Sequence, residues 1–352
     1  EGGSEQRIGS RVRYYVRAMH WLPDSHGLII TANAQFTYYQ IWYVSYPGGQ
    51  SRAIMNDLNN YSGLSLTADA GALVTVQRET NSHLWVVDPS DPERAKQIST
   101  GRLDGRNFMA WAAANGNLYF EAPDSSGDTQ IWVTAADGSD RRQITTGGLT
   151  GQPAPCGDDR HLVFASYRAG TPHIWRSDLD GGNIRQLTNG EGELIPSCSP
   201  DGAWLTYFSS APKSRGVWRM PIDGGAPVRI WERPSSARIS PDGKSVLVRD
   251  GSKDWIIPAG GGQPIKSFDA VSELGGFGAV DWSADGTALL YIKTVDGVSN
   301  IWQRPINGGE PKQVTRFTSL RITTFALSRD GKRLALARGT TTSDVVLIKD
   351  LK

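Results

Sequence analysis

The chain has 352 residues, with 37 Lys+Arg, 36 Asp+Glu and five His, for a formal net charge of +1. That balance argues against a phosphate-tracking surface, because nucleic-acid binders gather excess Lys and Arg on one face. Forty Gly, nineteen Pro and twelve Trp, with few helix-forming stretches, exclude a helical bundle and imply many short strands joined by tight turns.

The chain opens on "EGGSEQRIGS", which lacks the pattern of a signal peptide. No run approaches the roughly 20 apolar residues of a membrane helix. The opening looks like a cut end, so a targeting or membrane segment is expected upstream. The basic cluster Arg11, Arg13 and Arg17 reads as a solvated edge rather than a nucleic-acid site.

From residue 20 onward the chain repeats. An Asp-Gly-type corner recurs as "WLPDSHG", "LTADAG", "WAAANG", "PCGDDR", "CSPDG", "ISPDG", "WSADG" and "LSRDG". Its pivots are Asp24, Asp69, Ala114, Asp158, Asp201, Asp242, Asp285 and Asp330, spaced 45, 45, 44, 43, 41, 43 and 45 residues apart. An Ile-Trp pair or a close relative follows each corner, from 41–42 to 345–346. A Gly-rich turn such as "LDGGN" and a short strand such as "KQIST", "RQITT" or "KQVTR" complete the unit. Four strand signals repeating in phase every 40–45 residues are the signature of propeller blades. The fold expected is therefore all-β: one eight-bladed β-propeller over residues 1–352, each blade a four-stranded antiparallel sheet A–B–C–D. Pro sets φ in the A–B corner, Asp caps it and Gly takes positive φ. The last unit stops after strand C, and "EQRIGS" at residues 5–10 resembles a D strand. Those residues are expected to complete the last blade and close the ring, removing two exposed edges.

Motifs that carry chemistry are sparse in this repeat. No Gly-x-Ser-x-Gly elbow stands between a strand and a helix, and no kinase Gly-rich loop, His-Arg-Asp or Asp-Phe-Gly occurs. His20, His26, His83, His161 and His173 fall in different units without ligand spacing. His20 and His26 flank one hairpin, where surface histidines are favoured over a metal site. His83 and His173 stand where other units carry Gln40, Gln130 and Asn300, so they read as polar residues at a strand entry. The sharper reading of that position is a polar ring near one channel mouth. "APDSSGDTQ" at 122–130 lacks the oxygen spacing and distal Glu of a calcium loop and reads as a turn. No catalytic residue, metal site or cofactor is expected. Cys156 and Cys198 belong to innermost strands of adjacent blades. Such strands diverge beyond the roughly 7 Å that a disulfide tolerates, so two buried free thiols are expected.

Longer loops concentrate binding residues, and in a propeller the D–A and B–C connections share one face. The D–A loops supply Tyr61, Arg106, Phe108, Glu191, Glu193, Arg233, Phe277 and Arg321. The B–C loops supply Arg78, Tyr167, Arg168 and His173, with Phe36, Tyr38, Glu79, Lys213 and Arg215 beside them. Aromatics mixed with Arg and Glu suit a peptide, carbohydrate or protein ligand. Nucleic acid is not an expected partner, and a membrane is expected only through a missing upstream segment.

The stretch "QLTNGEGELIPSCSPDGAWLTYFSS…GVWRMPIDGGAPV" (186–228) resembles the propeller repeat of periplasmic TolB and its WD-like relatives. "NDLNNYSGLSLTADAGALVTVQ" (56–77), "GVSNIWQRPINGGEPKQVT" (297–315) and the ending "SDVVLIKDLK" are similar to the C-terminal propeller of bacterial receptor-like Ser/Thr protein kinases, or of winged-helix regulators that carry one. Unit three departs from the pattern with Ala113-Ala114-Asn115-Gly116, and unit six carries "DWII". The resemblance implies a non-enzymatic, extracytoplasmic sensor propeller tethered to the membrane in a larger signalling protein. A propeller lyase or hydrolase acting on polysaccharide is one alternative. A TolB-like scaffold for protein partners is the other.

Overall fold

The computed structural model describes residues 8, 15–33, 38–55, 57–113, 115–270 and 279–349. The regular structure among them is entirely β, arranged in seven antiparallel sheets. The chain forms two compact units: residues 82–340, and residues 1–81 together with 341–352.

Residues 82–340 hold five complete blades. The first is Met109–Trp111, Leu118–Pro123, Thr129–Thr134 and Arg142–Gln143. The second is Thr150–Pro155, His161–Ser166, His173–Asp178 and Arg185–Gln186. The third is Glu193–Cys198, Trp204–Ser209, Gly216–Pro221 and Val228–Trp231. The fourth is Ala237–Ile239, Ser245–Asp250, Lys253–Pro258 and Lys266–Asp269. The fifth is Val280–Trp282, Ala288–Val295, Val298–Pro305 and Lys312–Gln313. Each is a simple A–B–C–D meander, as the repeat predicts.

The count of eight is where structure and sequence part. Units two and eight do not make separate blades, because neither forms a B–C hairpin. Ala72–Asp88 runs through as one 17-residue strand and Leu334–Lys349 as one of 16. Units three to seven carry Gly or Pro there, as in "PDSSGD" or "YRAGTP", whereas "QRETNS" of unit two supplies neither. The two long strands are neighbours in one sheet, ordered Arg321–Leu327, Leu334–Lys349, Ala72–Asp88, Asn60–Leu66. Arg321–Leu327 pairs with residues 334–339, while Asp91–Gln97 pairs with residues 85–88. The sixth blade of residues 82–340 therefore takes its A and B strands from the end of the chain. Its C and D strands come from unit two. Residues 5–10, the expected closing strand, lie outside the described residues except for Ile8; the strand beside Leu334–Lys349 is Ala72–Asp88.

Six apolar clusters join these six blades in a ring. Phe120 and Leu84 pack with Ala335 and Ala337, and Val87 and Leu336 pack with Ile292 and Ile301. Tyr119 and Ile131 meet Leu162 and Phe164, and Val163 meets Leu205 and Tyr207. Val217 meets Val246, and Leu247 meets Leu289. Leu84, Leu162, Ile131 and Ile301 are fully buried.

The repeated sequence signals have physical counterparts. In the corner at Asp242, its carboxylate accepts from Ser240 Oγ at 2.6 Å and Lys244 N at 3.0 Å, which holds its pKa below the usual range. Gly243 takes φ 71°, open to Gly without strain. Gln97, Gln143, Gln186 and Gln313 of the D strands donate to the carbonyls of Ser99, Thr145, Thr188 and Thr315 at 2.6–2.8 Å. The hydroxyls of those four residues each accept a C-strand amide at 2.9 Å. The pivot Ala114 lies outside the described residues.

Residues 15–81 and 341–349 form the other unit. It holds the four-stranded sheet Tyr15–Trp21, Gly27–Asn33, Gln40–Ser45, Ser51–Ala53. It also holds Asn60–Leu66 paired with residues 73–78. Ile29, Ile41, Tyr61 and Leu73 form its core, with Val346 and Ile348 packed against it.

Leu84 sits at the junction of the sixth and first blades of residues 82–340. Leu84→Ala is expected to cost about 2–5 kcal/mol, the range for a buried leucine truncation. Val345→Ala, at a residue 74% exposed, should change stability by no more than about 0.5 kcal/mol. Urea denaturation of both variants checks this; an unchanged midpoint for Leu84→Ala would contradict the ring packing.

Candidate functional site

The innermost strands of residues 82–340 enclose a channel. Its wall includes Ala110, Ala154, Ser197, Arg238, Asp281 and Ala326, each four residues before its pivot. Two connected cavities lie along it, of ≈ 190 and ≈ 180 Å³. Trp111, Pro155, Cys198, Ile239, Asp281 and Leu327 border both.

At the Asp-Gly end the channel is tightly tied. Arg329 reaches from the sixth blade to donate to the Pro200 carbonyl of the third, the opposite blade. Cys156 and Cys198 are joined by a disulfide, with Cα atoms 5.0 Å apart. This corrects the expectation of free thiols. The two cysteines lie where inner strands of adjacent blades converge on the channel, close enough for the bond.

At the other end, two β-bulges shape the wall, one between Gly151 and Ala154, the other between Leu194 and Ser197. Gln152 and Ile195 sit in them at φ 60° and 56°, a conformation uncommon for non-glycine residues and an outlier for β-branched isoleucine. The bulges are tied in series. Gln152 N donates to Glu121 Oε1 at 2.7 Å, and Ile195 N donates to Gln152 Oε1 at 2.6 Å. Burial pushes the Glu121 carboxyl up to about 7, against the hydrogen bonds from Gln152 and Asn107 and the charge of Arg106. Deeper in the wall, Arg238 Nε lies 4.0 Å from Asp281 Oδ2. Asp281 is raised by burial, an effect that Arg238 opposes. Trp111 and Trp282 donate their indole N–H groups to the Ala326 and Arg238 carbonyls at 3.1 and 3.0 Å, stapling neighbouring inner strands.

The predicted loop residues divide. Phe108 lines the channel and Arg106 acts on Glu121, so these two belong to the mouth. Tyr61 and Arg78 lie outside residues 82–340. Tyr61 is buried, donating to Asp57 Oδ2 at 2.7 Å, and Arg78 donates to Ser343 Oγ at 3.4 Å. Arg168 folds back 5.0 Å over Trp175 and donates to Ser166 Oγ at 3.1 Å. Tyr167 beside it is half-buried. Arg233 pairs with Asp250. Glu191 and Arg321 are exposed. Phe277, like Phe36, lies outside the described residues.

His173 and Glu193 come together, but away from the channel. His173 Nδ1 is 2.8 Å from Glu193 Oε2, which also accepts from Thr188 Oγ1 at 3.0 Å. Gln130 and Asn300 accept from Thr145 and Thr315 in the same way. The polar residue at the strand entry is thus a cap between strands C and D, and not part of a ring at the mouth. Asp124 accepts from Ser126 N and Asp128 N at 2.8 and 3.1 Å, so "APDSSGDTQ" is a capped turn. Among the described residues no group of three or more His, Cys, Asp and Glu is placed to hold a metal.

Sequence reasoning missed Glu121, Gln152, Ser197, Arg238, Asp281 and Arg329. A usable signal existed for three of them, since the position four before each pivot faces the channel. Arg238 and Asp281 are the charged residues in that series, and Ser197 is polar.

Glu121 yields a pH prediction. Its pKa is raised from 4.5 to about 7 on folding, so the fold favours the protonated acid. Its contribution is complete below pH 4.5 and is lost as pH rises through about 7. Relative to Glu121→Gln, the wild type should lose up to about 3 kcal/mol across that window. Parallel denaturation curves at pH 4.5 and 8 measure it; equal pH dependence of the two proteins would contradict the assignment.

Known proteins share parts of this geometry. Residues 107–239 match the TolB β-propeller domain. No curated protein sequence matches the chain. A chain of the nidogen/laminin complex superposes with TM-score 0.53 at 12% identity, covering 74% of this chain and 98% of that one. TolB from Acinetobacter baumannii aligns at 16% identity over 93% of this chain and 81% of that one, TM-score 0.46. An oligogalacturonate lyase from Vibrio parahaemolyticus aligns at 14% identity over 83% and 89%, TM-score 0.44. Over residues 107–239 the chain is similar to the TolB β-propeller domain, and the four-stranded antiparallel sheets there are blades of a propeller.

Proposed function

We propose that this protein is a non-catalytic binding propeller that takes a segment of a partner protein into the channel mouth of residues 82–340. The observation that carries this reading is the wall itself. Two strained bulges expose Gln152 and the backbone beside it, and the ion pair Arg238–Asp281 lies behind them. Strain held at a ligand-facing position is a common mark of binding sites. The set offers hydrogen-bond donors, acceptors and both charges, but no nucleophile with an adjacent base among the described wall residues. The similarity of residues 107–239 to TolB supports a protein-interaction role.

We further place the protein outside the cytoplasm, as the sensor module of a larger membrane-anchored signalling protein of the Ser/Thr kinase type. Two things support this: the sequence resemblance described above and the disulfide, since such bonds persist mainly in oxidising compartments.

A photo-crosslinking residue substituted at Phe108 in the source cell tests the binding role. One dominant protein adduct is expected, lost in Arg238→Glu and kept in Arg321→Glu. If instead no adduct forms and the purified protein cleaves acidic polysaccharide, the lyase reading replaces this one.

A further inference from the structure

Six C strands around the ring of residues 82–340 carry a tryptophan at one register. Trp85, Trp132, Trp175 and Trp302 each stand opposite the D-strand glutamine of their blade; Trp218 stands opposite Arg229 and Trp255 opposite Ser267. In four blades a basic side chain lies over the indole. Arg338 is 4.9 Å from the ring centre of Trp85 and Arg141 4.9 Å from that of Trp132. Arg168 is 5.0 Å from Trp175 and Lys293 is 4.7 Å from Trp302. Trp255 has Lys253 and Arg233 at 5.8 and 5.9 Å. A cation over an aromatic face is attracted by the ring quadrupole, more so where water is excluded.

Among the described residues Trp218 has no cation as close as in those four blades. Its nearest cation, Arg229 at 5.9 Å, comes from the D strand of its own blade and donates to Glu232 Oε1 at 3.1 Å. The register shows what is missing. Lys293 stands opposite Asn300, two residues before Trp302, and the matching residue opposite Gly216, two before Trp218, is Ser209. Where the sister blade has a lysine, this one has a hydroxyl, bonded at 2.7 Å to Ser214. A cleft of ≈ 320 Å³ lies there, walled by Trp218, Ser209, Ser214, Tyr207, Thr188 and Glu193 among others, and Arg229 is not part of the wall. Its size is at the lower end of small-molecule sites.

The electrostatics of the wall suit a cation. Glu193 is buried, and the hydrogen bonds from His173 and Thr188 both reach its Oε2. The Tyr207 phenol is held protonated by burial and then by the negative charge of Glu193, so the field of that carboxylate extends into the cleft. Exposed Glu191, Lys213 and Arg215 stand beside wall residues in the chain without entering the wall, which leaves Glu193 as its one carboxylate.

We propose that this cleft receives an arginine or lysine side chain from a partner protein, which takes over Trp218 the place that Lys293 takes over Trp302 within the chain. The site is separate from the channel and does not depend on what the channel binds. Protein labelled with 5-fluorotryptophan is titrated with the Nα-acetyl methylamides of arginine, lysine and norleucine, with the Trp218 fluorine resonance assigned through Trp218→Phe. The arginine and lysine compounds are expected to shift that resonance saturably and the norleucine compound to leave it in place. Ser209→Lys, which supplies the side chain internally, should weaken the response at least tenfold, a change comparable to losing a desolvated cation–aromatic contact. Arg238→Ala in the channel should leave it unchanged. Glu193→Gln, checked for an unaltered fluorine spectrum of the other tryptophans, should weaken it as well and serves if Ser209→Lys does not fold. An absent shift with arginine, an equal shift with norleucine, or wild-type binding by Ser209→Lys or the folded Glu193→Gln would overturn the proposal.

Discussion

The structure depends on one pairing, that of Ala72–Asp88 with Leu334–Lys349. Five blades are local meanders, each made by consecutive strands. The sixth exists only if residues near 85 meet residues near 335, at opposite ends of residues 82–340. Bringing them together costs loop entropy, but that cost grows only logarithmically with loop length. The gain includes two apolar interfaces, one on each side of the blade, in which Leu84, Val87, Leu334 and Leu336 are almost wholly buried. It also removes two strand edges that would otherwise template aggregation.

Within that closed frame the repeats show a common set of devices and a few departures. Asp corners, the glutamine that fastens strand D and the hydroxyl that caps strand C recur because each blade must satisfy the same backbone groups. Departures are informative for the same reason. Gln152 and Ile195 hold a conformation their side chains disfavour; Gln152 lines the channel mouth, and Ile195 is buried next to Pro196 of the wall. Ser209 leaves open a crevice that its counterpart Lys293 fills. The disulfide and Arg329 tie the opposite end of the channel, so the rigid end and the strained end are distinct.

Much of the fold was legible in the sequence, because the blade repeat rests on local chemistry. Turn formers at fixed spacing and an aromatic in strand C identify strands without tertiary knowledge. The blade count was less legible. Unit two lacks the Gly or Pro found between strands B and C in units three to seven, and unit eight carries Gly339 there yet runs on as one strand, so an absent turn is a weaker signal than a present corner. The cysteine pairing failed through an assumption about geometry, since inner strands converge at the Asp-Gly end. The candidate site lies largely on inner strands, whereas aromatic and charged residues in the sequence point to the loops. Arg238 and Asp281 were within reach through the phase of the pivots. Glu121 and Gln152 were not, since nothing in the sequence announces a bulge.

Native-state hydrogen exchange on the full chain tests the closing pairing most directly. If the sixth blade closes the ring, the amides of Leu84, Val87, Leu334 and Leu336 exchange only through the opening that also exposes Leu162 and Phe164 of the second blade, with the same free energy. Exchange of the first four through a much easier opening, while Leu162 and Phe164 stay protected, would contradict it.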